Sequence, residues 1–170
     1  MMKMHYCFEC GTALTQRYLE NEGIIPYCET CGVFRFPIFS TAVSIITLNP
    51  DRNKILLIQQ YGRESNILVA GYINQTESAE QTVARELSEE TGFIASEIRF
   101  NQSEYFEKSN TLMLNFSCVA DREALYGLNT KEVDKAQWFT FEEAEKAIRP
   151  HSLAKKFLLS FLQKYRKEQE

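Results

Sequence analysis

Beyond residue 40, the apolar positions of the chain follow two rhythms. "TAVSIITLN" and "KILLIQQ" are nearly unbroken β-branched and aliphatic runs, separated by the turn-rich "PDRN", and together they predict a hairpin. "NILVAGY" predicts a further short strand ending at Gly71. The rhythm then becomes helical from about Ser78 to Thr91, with Ser78 and Gln81 as a capping box and Gly92 placed to stop the helix. "EIRFNQSEYFE" and "TLMLNFSCVAD" predict a second strand pair, "EVDKAQWFT" one more strand, and Phe141 to Ile148 a short helix. A last helix begins near Ser152. There Leu153, Phe157, Phe161 and Tyr165 recur at every fourth position with Leu158 and Leu162 beside them, so this face is core and the lysines and arginines are the wet side. Mixed strands with a few flanking helices imply an α/β sandwich or an α+β fold. Cys118 and Trp138 lie in apolar strand segments and read as core residues.

The front of the chain follows neither rhythm. Cys7 and Cys10 form one C-x-x-C and Cys28 and Cys31 another, 17 residues later, a spacing expected of a four-cysteine zinc site. Glycine follows each pair, in "CFECG" and "CETCG", and allows a tight turn that aims backbone N–H groups at the sulfurs. Four thiolates leave no open position for a substrate, so Zn²⁺ here would be structural, holding together a segment too short for its own core. Spacing alone leaves two disulfides or an iron site of the same ligands as alternatives. Pro37 marks the expected junction between this ribbon, residues 1–36, and a body of residues 37–170. His5 stands beside a site already filled by thiolates and reads as an exposed polar residue, and His151 as a surface or capping one.

Composition narrows the function. The 170 residues suffice for a good core plus a small appended module. A net charge of −4, with only Lys3, Arg17 and Arg35 as basic residues of the ribbon, disfavours non-specific nucleic-acid binding. Small anionic substrates are not excluded, because a bound cation reverses the local field. The opening "MMKMHYCFEC" lacks the apolar run of a signal peptide and no stretch approaches transmembrane length. A cytoplasmic protein with reduced thiols and no membrane partner is therefore expected.

"RELSEETGF", residues 85–93, raises a sharper question, because charge runs on helices usually face water. On a wheel of about 100° per residue with Ala79 at zero, Val83 falls at about 40° and Leu87 at about 80°. Glu90 falls at about 20°, Glu86 at about 340° and Glu89 at about 280°. Two carboxylates thus lie within or beside the apolar stripe, where they lose hydration and repel one another. Arg85 reaches Glu89 but cannot neutralise all three. A divalent cation held by oxygens is the simplest partner.

Written out, the segment is Gly71, five residues, Glu77, seven residues, then Arg85-Glu86-Leu87-Ser88-Glu89-Glu90-Thr91-Gly92-Phe93. It resembles the Nudix box, G-x5-E-x7-R-E-U-x-E-E-x-G-U with U apolar, at every fixed position. The resemblance implies the Nudix fold, an α/β/α sandwich around a mixed sheet, for about residues 37–170. It implies Glu86 and Glu90 as ligands of Mg²⁺ or Mn²⁺, Glu89 as ligand or water activator, and Arg85 as their organiser, paired with Glu77. It further implies that the carbonyl of Ala70, before the box glycine, joins the metal or substrate shell. The implied reaction is hydrolysis of a pyrophosphate linking a nucleoside diphosphate to another moiety.

A four-cysteine ribbon followed by such a domain is similar to the NADH pyrophosphatase branch of the family. "LVAGYINQTES" resembles that branch's loop into the box, with Tyr72 able to stack on a base, although "NQTE" stands where glutamate and glycine are usual. "EVDKAQWF" resembles a segment whose glutamate, here Glu132, is an additional metal ligand, and "HSLAKKFLLSFL" resembles a final helix that places Ala154 near the substrate. The S-Q-P-W loop of the branch is replaced by "SEYFEKSNT": Ser103 is kept, Phe106 stands at the tryptophan position and Thr111 at that of the last serine. NAD(H) or ADP-ribose is the implied substrate and a homodimer the implied assembly. The alternatives are removal of NAD caps from RNA, and a non-catalytic nucleotide-sensing module.

Overall fold

The computed structural model describes residues 4–168, so Lys3 lies outside the described residues. The chain separates into two compact units, Met1–Phe39 and Ser40–Glu170.

In the first unit β1 (Thr15–Leu19), β2 (Gly23–Cys28) and β3 (Val33–Phe34) form an antiparallel sheet in that order. Two matching knuckles carry the cysteines. In each, the glycine after the second cysteine adopts positive φ, 72° at Gly11 and 69° at Gly32. Each glycine N–H then donates back to the first cysteine's carbonyl, at 2.9 Å to Cys7 and 2.8 Å to Cys28. The hydroxyls of Thr12 and Thr30 join the knuckles at 2.9 Å.

The second unit contains β4 (Ser40–Leu48), β5 (Lys54–Gln60), β6 (Val69–Tyr72), α1 (Ala79–Thr91), β7 (Ala95–Phe106), β8 (Thr111–Ala120), β9 (Val133–Thr140), α2 (Phe141–Ala147) and α3 (Leu153–Lys167). Its strands form one mixed sheet, β7-β8-β4-β5-β9, with β6 also paired to β4. β4 lies parallel to β8, from Ser40 opposite Thr111 to Leu48 opposite Val119. The continuous apolar runs reflect burial on both faces. Val43, Ile45, Leu56 and Ile58 point to a core that includes Val83 and Leu87 of α1. Ile46, Leu48, Ile55 and Leu57 point to a second core with Ala144 of α2 and Leu158, Phe161 and Leu162 of α3. The architecture is an α/β/α sandwich.

The expected β4–β5 hairpin opens into a fork. The two strands pair only at Leu48 and Ile55. β6 takes the other end of β4, with Ala42 opposite Tyr72 and Ile45 opposite Val69, while β5 spends its hydrogen bonds on β9. Alternating apolar runs identify strands, but hydrogen-bond partners are chosen by which strand can insert. Among the described residues, no helix is long and apolar enough to cross a membrane.

Candidate active site

Helix α1 starts where the capping box requires. Ser78 Oγ accepts from the Gln81 N–H at 3.2 Å, and Gln81 Oε1 accepts from the Ser78 N–H at 2.8 Å. Gly92 ends the helix in the left-handed conformation, φ 72°. Burial around the helix follows the wheel: Glu90 is 3% exposed, Glu86 is half-buried, and the Glu89 side chain is 56% exposed.

Arg85 gathers the carboxylates. Its Nε and Nη2 donate to the two Glu77 oxygens at 2.7 and 3.0 Å, a bidentate pair. Nη1 donates to Glu86 at 2.8 Å and to Glu89 at 3.0 Å, and Nη2 also reaches the Tyr72 carbonyl at 3.0 Å. Arg85 holds the Glu77 carboxyl down to about 2, aided by the Asn74 N–H and the Thr82 hydroxyl. The guanidinium therefore ties α1 to the end of β6. There Gly71 lies against Glu86, and a Cβ on residue 71 would stand 1.9 Å from the Glu86 carboxyl carbon. The loop from Gly71 to α1 turns through Thr76 at φ 74°, a left-handed conformation that β-branched residues seldom adopt.

These groups open on a cleft of about 450 Å³, lined among others by Ala70, Gly71, Tyr72, Arg85, Glu86, Glu90, Thr111 and Glu132. Glu132 arrives from the loop before β9, which is anchored to α1: the Asn129 N–H donates to the Glu90 carbonyl at 3.0 Å, and the Glu132 N–H to the Asn129 carbonyl at 3.0 Å. Glu90 is the electrostatic anomaly. Burial pushes its carboxyl up to about 7; a hydrogen bond from Gln60 opposes this, and Glu86, Glu132 and Glu89 add to it by repulsion. Its Oε2 is buried without a hydrogen-bond partner. Glu86 is also raised, by burial first, although Arg85 opposes it. A buried carboxylate oxygen without a donor, amid other carboxylates, suits a hard divalent cation. The carboxylates are not drawn into one knot. Among the described residues, the cysteine quartet is the sole set of three or more acidic, cysteine or histidine groups whose ligand atoms all lie within 4.8 Å. Arg85 holds Glu86 and Glu89 to its side.

Of the residues singled out for substrate binding, Ala70, Gly71, Tyr72 and Thr111 line this cleft, whereas Ser103, Phe106 and Ala154 are not among its lining residues. Ser103 lies within β7 opposite Leu114, Phe106 ends that strand, and Ala154 packs against the α2–α3 core. Thr111 is buried, its hydroxyl donating to the Ser109 carbonyl at 3.0 Å. Glu89 stands outside the lining, at Arg85. The sequence reading held Asn74 and Ser109 only as members of its quoted loops, and missed Ala42 in β4, Gln60 and Tyr61 at the end of β5, and Met113. No motif marks them, because their place depends on how β5 and β8 fold against β6. His151 is exposed in the turn before α3, while Ser152 caps that helix; Cys118 is buried; and Trp138 packs on Phe93 and donates to the Glu123 carbonyl at 2.7 Å.

The four front cysteines converge, with Cys7 and Cys31 sulfurs 3.9 Å apart and Cys10 and Cys28 sulfurs 3.4 Å apart. The four sulfurs all lie within 4.8 Å of one another, the grouping that a single four-coordinate ion needs. Tetrahedral zinc with sulfurs at about 2.3 Å would set neighbouring sulfurs at about 3.8 Å. The thiols compete for ionisation. Burial raises Cys7, but the N–H groups of Cys10 and Glu9 outweigh it and bring the thiol down to about 6. Cys31, against Cys10 and Cys28, is pushed up to about 12. A divalent cation would relieve that crowding.

The family model of the NUDIX domain matches residues 39–161. The chain belongs to the Nudix family. Its box runs from Gly71 through α1 to Phe93, and the Gly71–Glu86 and Glu77–Arg85 contacts join its distant positions. The chain is 27% identical over 143 residues to the NAD-capped RNA hydrolase NudC of Vibrio cholerae, a match spanning 82% of this chain and 50% of that protein. It is 30% identical over 143 residues to the protein of the same name from Vibrio atlanticus, spanning 80% of this chain and 49% of the relative. The chain thus spans about half the length of these curated relatives. Among solved structures, a Nudix hydrolase from Nitrosomonas europaea shares the fold with a TM-score of 0.65 at 18% identity, over 96% of this chain and 93% of that one.

Proposed function

We propose that this Nudix protein is a metal-dependent pyrophosphatase that cleaves a nucleoside diphosphate linked to another moiety, with NAD(H) or ADP-ribose as substrate. The observation that carries the reading is Glu90, buried at 3% exposure with an unpartnered oxygen and flanked in the cleft by Glu86 and Glu132. Glu86, Glu90 and Glu132, with the Ala70 carbonyl, would hold Mg²⁺ or Mn²⁺, which would neutralise phosphate oxygens and acidify a water. Arg85 keeps Glu86 and Glu89 aligned. Glu89, exposed at the helix edge and paired with Arg85, would turn toward the cleft as a further metal ligand or to take the proton of the attacking water as the water oxygen bonds to phosphorus. The bridging P–O bond breaks and its electron pair leaves with the departing phosphate. The products are a nucleoside monophosphate and a phosphorylated remainder, with Tyr72 stacking on a base.

The test is turnover of a dinucleotide and nucleotide-sugar panel with Mg²⁺ or Mn²⁺, products read by mass spectrometry. Glu89→Gln and Glu90→Gln should each abolish turnover while the fold persists. Intact activity in both variants would refute the catalytic assignment, and tight nucleotide binding without turnover would favour a sensing module. The names of the curated relatives favour a second substrate, NAD-capped RNA. Competition between capped RNA and free NAD decides between the two. The front cysteines would bind structural zinc, and the protein would act as a homodimer; a monomer in light scattering at assay concentration removes that last point.

A further inference from the structure

Tyr61 makes a turn that its side chain does not favour. Strand β5 ends at Gln60, and the Arg63 N–H donates to the Gln60 carbonyl at 3.1 Å, closing a turn over Tyr61 and Gly62. Both central residues have positive φ, 55° and 69°, the pattern of a type I′ turn. Glycine, asparagine and aspartate favour such positions, and a bulky aromatic does not. The turn is clamped in place, because the Gly62 N–H donates to Asp134 Oδ2 at 2.6 Å.

Nothing among the described residues rewards the tyrosine for this conformation. Tyr61 is 69% exposed, and its side chain makes no hydrogen bond, ion pair or ring contact with the described residues. It does line the carboxylate cleft, together with Gln60, Glu90, Glu132 and Tyr72. Tyr72, at the end of β6, is likewise exposed, at 58%. Tyr61 is thus an aromatic ring in a strained backbone, unused by the core and set at the rim of a charged cleft, the place where such strain is kept for function.

We infer that Tyr61 is a specificity-determining residue of this site, stacking on an aromatic ring of the substrate while the carboxylates below handle the pyrophosphate. The inference rests on the cleft being the substrate site. It selects ring-bearing substrates, dinucleotides above all, over phosphoanhydrides without one.

The test uses the full chain, Mn²⁺ and NADH, with Tyr61→Asn and Tyr61→Phe. Asparagine tolerates left-handed backbone, so Tyr61→Asn should melt at or above the wild-type temperature. Its KM should rise about tenfold with kcat within about twofold, the loss expected for one ring-stacking contact. Tyr61→Phe should keep the wild-type KM, since it keeps the ring. A KM unchanged in Tyr61→Asn overturns the inference, as does a Tyr61→Phe variant as impaired as Tyr61→Asn. A wild-type protein that turns over no member of the substrate panel overturns the site reading itself and this inference with it.

Discussion

The carboxyl group of Glu86 occupies the space that a side chain on residue 71 would need: a Cβ built there lies 1.9 Å from its carboxyl carbon and 2.0 Å from one oxygen. The glycine that opens the Nudix box is therefore bound to a residue 15 positions later by shape. Gly71→Ala should push Glu86 out of the cleft and lower kcat by about 10²-fold, as expected of a misplacement near 1 Å. Kinetics at saturating metal, with circular dichroism to show an unchanged fold, checks it.

Arg85 serves four acceptors at once, Glu77, Glu86, Glu89 and the Tyr72 carbonyl. A lysine keeps the charge but not the planar fork. Arg85→Lys should cut kcat by roughly 10–10²-fold. Metal titrations should show weaker Mn²⁺ activation, because Glu86 and Glu89 lose their common anchor. Wild-type kinetics in this variant would remove the organising role.

Glu90 predicts a pH dependence of stability. Burial raises its carboxyl from the ordinary 4.5 to about 7, so the folded state holds a proton that the unfolded chain releases. The sign follows: without added magnesium or manganese, the stability that Glu90 contributes is fully present below pH 4.5 and is lost as pH rises through about 7. The loss is on the order of 3 kcal/mol for a shift of this size. Glu90→Gln should flatten the slope and melt above the wild type at pH 8. Added Mn²⁺ should flatten it in the wild type, which thermal melts between pH 4.5 and 8 will show.

Thr76 holds a left-handed backbone at φ 74° in the loop between Gly71 and α1. Glycine adopts that conformation without the Cβ clash, at some cost in unfolded-chain entropy. Thr76→Gly should stabilise the protein by about 1 kcal/mol, a rise in Tm of about 2–4 °C. Differential scanning calorimetry reads it directly.

Cys28 is fully buried and its sulfur accepts the Cys31 N–H at 3.4 Å. Cys28→Ser should lower bound zinc from about one per chain to near none. Limited proteolysis should then open the segment before Ser40, while the Nudix unit keeps its own cooperative unfolding. A variant that retains zinc, measured by atomic emission, would contradict a four-thiolate site.

The sandwich was legible because its signals are local. α1 carries its capping box, its glycine stop and a wheel that places Glu90 in the buried arc, all within one turn-by-turn pattern. β4 and β5 announce themselves by unbroken apolar runs. The fork between them was not legible, since β6 enters it by tertiary pairing with Ala42 to Ile45, and no local rule chooses between two possible partners for the same N–H groups. The cysteine spacing revealed a four-ligand cluster. It could not say which sulfurs neighbour which, and that took the folded arrangement.

What the sequence determined by itself was therefore the family, the helix that bears the carboxylates and the existence of a thiol site, because fixed spacings on one helix or one turn have only one local geometry. The tertiary structure alone decided that Glu86 packs into the space left by Gly71, that Glu132 joins Glu90 in one cleft, and that Tyr61 shares that cleft with Tyr72. Those are relations between elements brought together by sheet pairing, and burial and close approach exist only once that pairing is made.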